Sequence, residues 1–313
     1  MSKSFDVALD EWKEQIDCEL ENIIAQTKYP PEFKDVLKYA LFPGGKRLRP
    51  ILFLAWHGLF ADIDEHALRY ACAIELLHSY SLIHDDMPCM DNDEYRRGKL
   101  TVHKKYGEGM ALLAGDALMD LAYAVLNIPA PRCEKAPLMF AHSQVNDYLP
   151  LSPFGDAGLI CGQYYDLFGK FDDLDSLLQK VHALKTGALI SFACTSGASL
   201  GLSLRYKADS ELMYSVGDDC APIIDGNDGE CEGIVAAIDF GKAFGVAFQL
   251  YDDISEYIAG EKTSGTSVLN FIDLEKAKNL LNTDLNDAAR ALDKVRVGNT
   301  EFLRELLDKF IIA

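Results

Sequence analysis

Acidic side chains that could bind a metal ion are concentrated in one short stretch of the chain. Asp85, Asp86 and Asp91 place three carboxylates within seven positions, and Arg96 and Arg97 follow shortly after them. Carboxylates this close together raise one another's pKa unless a cation lies between them. Mg²⁺ prefers such oxygen ligands and completes its coordination with water and substrate phosphates, and arginine also binds phosphate oxygens. The stretch therefore predicts a magnesium–phosphate site, with a solvated acidic turn as the alternative.

A second acidic cluster lies inside an apolar segment that has the pattern of a helix. Asp252 and Glu256 are four positions apart, and Gln249 precedes Asp252 by three, so a helix places all three side chains on one face. Acids embedded in an apolar helix cost free energy unless they are paired or bound to metal. The two clusters predict two helices that face each other across a pocket containing Mg²⁺ and a diphosphate.

Composition excludes some classes of partner. The chain has 313 residues, of which 49% are hydrophobic, enough for one large domain or two ordinary ones. Its formal net charge of −19 argues against an extended surface for nucleic acid or anionic membrane. An anionic substrate must therefore be bound by a few local cations together with metal.

Cysteine usage and the apolar stretches indicate a cytoplasmic protein. The eight cysteines form no CxxC pair and no zinc-like cluster with histidine, which is typical of reduced thiols. The polar, acidic start of the chain does not resemble a targeting segment. Residues 186–204 lack charge, but their many Gly, Ser and Thr residues favour a buried core helix. We therefore predict no membrane span.

The hydrophobic pattern predicts an all-α fold, with one domain over residues 1–313. Helical periodicity recurs along the chain and no alternating Val/Ile/Thr-rich run appears. The acidic, glycine-containing stretch 205–233 lacks a strong period and predicts a surface loop. Predicted helices lie at 5–28, from 30–33 onward, at 51–60, from 61 into the first acidic cluster, at 110–126, at 156–168, as two helices within 172–204 joined near Lys185, and at 234–258, 273–297 and 300–311.

Two motifs give the chain a family resemblance. The basic loop GGKRLRP covers residues 44–50, and a DDxxxxD motif runs from Asp85 to Asp91 and is followed by RRG. With these motifs the chain resembles, over most of its length, the trans-type polyprenyl diphosphate synthases, which include farnesyl and geranylgeranyl diphosphate synthases. The resemblance implies an antiparallel helical bundle around a deep apolar pocket, and a homodimer. It also implies coupling of an allylic diphosphate (dimethylallyl or geranyl) to isopentenyl diphosphate with three Mg²⁺ ions.

The resemblance assigns the basic loop to isopentenyl diphosphate. It implies that Lys46 and Arg49 bind this substrate together with His78 and Arg97, with Gly45 freeing the loop backbone beside them. Each residue also has an ordinary interpretation, since the two loop cations could be solvated and the histidine could be a satisfied core residue.

Metal and allylic-diphosphate roles are carried over in the same way. Asp85, Asp91 and Asp252 resemble Mg²⁺ ligands. The resemblance assigns the allylic diphosphate and the developing carbocation to a further set: Arg96, Lys185, Thr186 and Gln249. The last two would offer oxygen dipoles to the cation, and the alternative for Lys185 is stabilisation of a helix C-terminus.

Helix geometry supports only part of this assignment. His78 and Asp85 are seven positions apart and fall on nearly one stripe of a helix. Asp85 and Asp91, six apart, would not share a face on a straight helix, so Pro88 between them is expected to kink or loosen the turn.

The chain departs from the family pattern after the second cluster. Glu256 stands where the family usually has Asp, the following loop over 257–270 is shortened, and Gly265 lies near the place of an expected lysine. Lys262 is a candidate replacement for a missing cation.

Product length is predicted from Tyr80 and Ser81, the fifth and fourth residues before the first aspartate. An aromatic residue at that fifth position, with the long first motif, resembles bacterial-type farnesyl diphosphate synthases, where the ring would block a growing chain. Tyr80 is also compatible with ordinary helix packing. Two other functions remain open, a terpene cyclase-like enzyme and a regulatory subunit, although an isopentenyl site is unnecessary in a cyclase.

Overall fold

A computed structural model of the protein describes residues 4–42, 44–127, 158–209, 228–260 and 265–312. Most of the described residues are helical and very few lie in strands, which confirms the all-α prediction. The first helices are α1 Phe5–Gln26, α2 Pro31–Leu41, α3 Leu48–Gly58, α4 Glu65–Asp85, α5 Val102–Tyr106 and α6 Glu108–Leu126. The later ones are α7 Leu159–Phe168, α8 Leu174–Leu177, α9 Ala188–Asp209, α10 Asp228–Ile258, α11 Leu274–Leu292 and α12 Glu301–Asp308. Between them lie a two-stranded hairpin, β1 Tyr95–Arg96 with β2 Lys99–Leu100, a π-helix at Leu178–Gly187 and a 3₁₀ turn at Val268–Asn270.

Contacts divide the chain into two compact units. The first comprises Met1–Leu54 and Ile63–Leu138, and the second comprises Ala55–Asp62 and Met139–Ala313. The two acidic clusters therefore fall in different units. The predictions of a single domain and of a pocket shared by both clusters stay predictions.

In the first unit, α4 is the central helix and packs against α1, α2 and α6. Its start is fixed by Asp64, whose carboxylate accepts the Ala67 N–H at 2.9 Å and so caps the first turn. Apolar side chains such as Tyr70, Ile74 and Leu77 are buried along its length. Because α4 is apolar on several sides, it is the core of this unit, and its last turn carries the first aspartates.

In the second unit, glycines let α10 approach α9 and the π-helix closely. A Cβ added to Gly245 would lie 2.6 Å from the Gly187 Cα, and one added to Gly241 would lie 2.6 Å from the Ser191 Cα. Both distances are shorter than van der Waals contact, so a larger residue would force the helices apart. The close packing places the second aspartate helix directly beside Lys185 and Thr186.

Two predicted elements differ from the structure, and one element was not predicted. The two helices expected within 172–204 form a continuous helical path through the π-helix, which contains Lys185 and Thr186. Both ends of the acidic loop predicted at 205–233 are helical, since α9 extends to Asp209 and α10 begins at Asp228; residues 210–227 lie outside the described residues. The hairpin β1–β2 was not predicted, because two-residue strands are too short to produce a pattern.

Within the described residues, three helical segments are long and apolar enough to cross a membrane by length and composition. They are Glu108–Leu126, Leu174–Arg205 and Glu232–Ile258, with 44%, 83% and 56% of their most apolar windows buried inside the protein. The burial of the second, which includes the uncharged stretch 186–204, is what a core helix requires.

Candidate active site

The basic loop is shaped by its glycines. A Cβ on Gly45 would lie 2.6 Å from a guanidinium nitrogen of Arg97, so a larger residue would push this side chain away. Arg97 has a φ of +51°, a left-handed backbone that costs free energy in a non-glycine residue. Lys46, in the same loop, is exposed. The structure thus brings Gly45 and Arg97 close together, and their binding of isopentenyl diphosphate stays a prediction.

His78 is the centre of a cluster of positive charge. Arg49 Nη1 lies 3.2 Å from His78 Nε2. Burial lowers the pKa of His78 well below its ordinary value, and the nearby guanidinium groups of Arg49, Arg97 and Arg96 lower the pKa further. His78 is therefore a neutral imidazole among cations, in a chain whose overall charge is strongly negative. An anion with several charges, such as a diphosphate, fits this cluster.

The first aspartate motif is a tight turn and not a kinked helix. Helix α4 ends at Asp85, and the Asp91 N–H then donates to the Asp85 carbonyl at 2.9 Å. Pro88 lies in this turn, where its missing N–H costs nothing. Of the two expected effects, a kink or a loosened turn, the structure shows no kink, because the helix ends before the proline. Asp85 is half-buried and Asp91 is exposed. The turn brings the two residues together in spite of their unfavourable helical spacing.

Arg96 is bound by Asp86, a residue of the first acidic cluster that was not among the assigned Mg²⁺ ligands. Asp86 accepts from Arg96 Nε at 2.7 Å and lies 2.6 Å from its Nη2, a side-on ion pair. Burial raises the pKa of Asp86, while Arg96 opposes that rise. Two of the three guanidinium nitrogens of Arg96 are therefore occupied by protein, and its predicted contact with the allylic diphosphate stays a prediction.

Tyr80 and Ser81 occupy different surroundings on α4. The Tyr80 ring meets the edge of the His84 ring, with centroids 5.9 Å apart, and burial raises the pKa of its hydroxyl to about 12. Ser81 is buried, and its hydroxyl donates to the His78 carbonyl at 2.9 Å. The serine hydroxyl is thus hydrogen-bonded to the backbone of its own helix, whereas the tyrosine ring is half-buried.

In the second unit, Thr186 and Gln249 are joined directly. Thr186 Oγ1 donates to Gln249 Oε1 at 2.7 Å, and Gln249 Nε2 donates to Asp253 Oδ1 at 2.9 Å. Asp253 is buried and also accepts the Val268 N–H at 2.7 Å. This carboxylate therefore anchors the segment after α10. The neighbouring Asp252 is half-buried, and its role as a metal ligand stays a prediction.

Lys185 is paired with an acid on another helix. Its Nζ lies 2.5 Å from Asp166 Oδ2, and the other carboxylate oxygen accepts from Thr266 Oγ1 at 2.5 Å. Helix α7 approaches the π-helix at Gly162, where a Cβ would lie 2.1 Å from the Lys185 backbone nitrogen. The spare residue of each π-turn widens the helix, a feature common at functional sites.

The structure describes two of the three residues at which the chain departs from the resemblance, Glu256 and Gly265. Glu256 is exposed on the last turns of α10, and Gly265 has open space around it. Lys262 lies outside the described residues. The segment that follows Gly265 is attached to the protein by hydrogen bonds from Thr266 to Asp166 and from Val268 to Asp253.

No three His, Cys, Asp or Glu side chains of the described ranges are grouped so as to hold a metal ion by themselves. A Mg²⁺ ion does not require such a group, because it commonly uses one or two carboxylates, phosphate oxygens and water. The exposed carboxylate of Asp91 beside Asp85 offers hard oxygen donors of the kind this ion prefers.

Sequence reasoning missed the residues that support the predicted ones. Asp86, Asp166 and Asp253 each bind a predicted side chain, and Arg47 is the buried residue of the basic motif. The second aspartate of each DD pair was a usable signal, since two adjacent acids on a helix cannot both face one metal. No signal in the sequence pairs Asp166 with Lys185, which are 19 positions apart.

An all-α fold with a cationic cluster and two aspartate motifs is typical of enzymes that act on diphosphates. Comparison with known proteins identifies the family. A model of the polyprenyl synthetase family matches residues 30–300. The chain belongs to this family, which confirms the predicted family and the enzyme class, a polyprenyl transferase.

Characterised relatives include enzymes of different product lengths. The chain is 36% identical over 260 residues to a dimethylallyltranstransferase of Fischerella ambigua, covering 81% of this chain and 64% of the relative. It is 37% identical over 255 residues to a geranylgeranyl diphosphate synthase of Cyanophora paradoxa, covering 79% and 73%. It is 32% identical over 288 residues to a farnesyl diphosphate synthase of Micrococcus luteus, covering 87% of both proteins.

Solved structures share the fold over nearly the whole chain. An FPP/GFPP synthase of Zymomonas mobilis has a TM-score of 0.75 and 29% identity, covering 98% of this chain and 99% of the other. A geranyltransferase of Legionella pneumophila has a TM-score of 0.74 and 29% identity, covering 98% and 96%. These matches agree with the predicted isoprenoid synthase fold.

Proposed function

We propose that the protein is a short-chain trans-prenyltransferase that joins an allylic diphosphate to isopentenyl diphosphate, with farnesyl diphosphate as the main product. The observation that carries the proposal is the cationic cluster around His78. Arg49 Nη1 lies 3.2 Å from His78 Nε2, and the guanidinium groups of Arg49 and Arg97 lie close enough to lower the pKa of this imidazole. Such a concentration in a chain of net charge −19 fits a small, highly charged anion.

Lys46 and Arg49 would bind the diphosphate of isopentenyl diphosphate, with Arg97 and His78. Arg49 is fixed against His78, and Arg97 lies against Gly45, so these donors are ordered before a ligand arrives. Preordered donors bind a diphosphate more strongly, because less side-chain freedom is lost on binding.

Asp85, Asp91 and Asp252 would hold Mg²⁺. When bound, the ion would neutralise negative charge on the departing diphosphate. Lys185 would add a positive charge on the allylic side, and the bonded pair Thr186–Gln249 would place oxygen dipoles beside the cationic carbon. Apolar surroundings would exclude water from this carbon.

One experiment tests the proposal directly. Purified protein is incubated with Mg²⁺ and isopentenyl diphosphate together with dimethylallyl, geranyl or farnesyl diphosphate, and products are identified by mass. The expected result is elongation of the first two primers to farnesyl diphosphate. Cyclised or hydrolysed primer without elongation would replace the proposal by the cyclase-like reading, and no product from any primer would favour a regulatory subunit.

A further inference from the structure

Arg47 lies between the two predicted substrate cations, Lys46 in the loop and Arg49 in the first turn of α3, yet it faces the protein interior. Its side chain has an exposed fraction of 0%, whereas Lys46 is exposed and Arg49 is half-buried. A cation that is completely removed from water is costly unless it is paired and hydrogen-bonded. The contacts of Arg47 therefore show how the cost of burying its charge is compensated.

All three guanidinium nitrogens of Arg47 donate to protein oxygens. Nε lies 2.7 Å from Asp17 Oδ1 on α1, and Nη1 lies 2.6 Å from Glu75 Oε1 on α4. Nη2 lies 2.8 Å from the Leu41 carbonyl at the end of α2. Glu75 has an exposed side-chain fraction of 2%, so this is a buried ion pair. One side chain thus joins the loop to three helices.

The backbone of the loop is adapted to this contact. Arg47 has a φ of +53°, a left-handed conformation that persists only where the surroundings impose it. A Cβ on Gly44 would lie 2.0 Å from Arg47 Cζ, so the glycine provides the space that the guanidinium occupies. The reversal at Arg47 leaves Lys46 on the solvent side of the loop while the next residue is buried.

We propose that Arg47 is a positioning residue: it anchors the loop of residues 44–47 and the first turn of α3 to α1, α2 and α4. It thereby holds Lys46, in the loop, and Arg49, in that first turn, in place for the diphosphate of isopentenyl diphosphate. This inference rests on the proposed function. Arg47 does not touch the substrate, since its nitrogens are already bound to Asp17, Glu75 and Leu41. Loss of the anchor frees the loop, and the substrate must then order it on binding.

The test measures KM for isopentenyl diphosphate and for dimethylallyl diphosphate, each with the other saturating, in the full-length protein. In Arg47→Lys, which keeps a cation but cannot make the three contacts, the isopentenyl KM should rise about tenfold or more, as expected for losing hydrogen bonds between charged groups. The allylic KM should change by less than about twofold. Arg69→Met is the matched control, because Arg69 also joins α4 to α1, through Glu19 at 3.3 Å, without contacting the loop.

Asp17→Asn separates positioning from direct binding. Removing an acid near an anion site should strengthen binding by electrostatics alone, whereas loss of an Arg47 anchor should raise the isopentenyl KM. Asp17 is one-third exposed, so this variant also replaces Arg47→Lys if the latter fails to fold. A lowered or unchanged isopentenyl KM in Asp17→Asn, or an equal rise in Arg69→Met, overturns the inference. Absence of elongation by the wild-type protein would instead overturn the proposed function.

Discussion

Lys185 and Thr266 bind the two oxygens of one carboxylate: both the lysine Nζ and the threonine Oγ1 lie 2.5 Å from Asp166. Asp166 thereby links α7 to the π-helix and to the segment after α10. The expected allylic-diphosphate cation is thus positioned by an acid 19 residues earlier in the chain.

If Asp166 bridges the two side chains, their contributions to stability should be coupled. We expect Asp166→Asn to lower the free energy of unfolding by about 1–3 kcal/mol and Thr266→Val by about 1 kcal/mol. The double variant should lose less than the sum, because both changes remove contacts of the same carboxylate. Urea unfolding measures all three values, and strictly additive losses would contradict the bridge.

Neutralising the proposed metal ligands should remove activity while preserving the fold. Asp85→Asn and Asp252→Asn should each lower kcat by about a hundredfold or more, since several kcal/mol of charge stabilisation in the transition state are lost. Steady-state rates with varied Mg²⁺ give the effect, and circular dichroism reports the fold. Asp120→Asn, an exposed acid on α6, is the control and should behave as the wild type. Full activity in either ligand variant, or in EDTA, would remove the metal assignment.

Tyr80 is expected to limit product length. Helix geometry places Tyr80 roughly 6–8 Å from Asp85 along the axis of α4, toward the start of the helix. Its half-buried ring contacts His84. Replacing the ring in Tyr80→Ala should shift the main product from fifteen carbons to twenty or more, measured by mass spectrometry of the reaction products. An unchanged product distribution would place the limit elsewhere, on the facing helix α6 around Met110–Met119.

Gly115 on α6 provides a second test of the same region. A Cβ there would lie 2.1 Å from His84 Nε2, and this ring also lies 3.2 Å from the Leu112 carbonyl and contacts Tyr80. Gly115→Ala should displace the His84 ring, lower the free energy of unfolding by about 1–3 kcal/mol and alter the product distribution. Gly109→Ala is the matched control on the same helix, because its added Cβ meets open space. Equal stability of both variants would contradict the packing of His84 against Gly115.

Asp284 on α11 should make the free energy of unfolding depend on pH. Burial raises its pKa from 3.8 to about 6. The folded state therefore holds the proton more tightly than the unfolded state, so the stability contribution of this residue is present below pH ~4 and is lost as pH rises to ~6. Asp284→Asn should raise Tm above pH 6 by about 2–4 °C, if roughly 1 kcal/mol of the burial cost is removed. The difference should vanish near pH 3, and a Tm gain independent of pH would contradict this origin.

The sequence by itself determined the helices and the chemical type of the site. Helical periodicity predicts α1, α4 and α6 because the pattern of burial repeats within a few residues along each element. The spacing of Asp85 and Asp91 and the basic loop predict a site for metal and diphosphate, because charge and ligand type belong to the residues themselves.

Only the tertiary structure decided which of two neighbouring charged residues is buried and bound to other parts of the protein. Neighbouring residues in one motif have opposite surroundings: Arg47 is buried between Asp17 and Glu75 while Lys46 is exposed, and Asp253 binds the Val268 N–H while Asp252 is half-buried. Similarly, the turn from Asp85 to Asp91 replaces the predicted kink, and Asp166 binds Lys185 from another helix. These outcomes depend on contacts between segments distant in sequence, and the free energy of burying a charge depends on whether such packing supplies its partner.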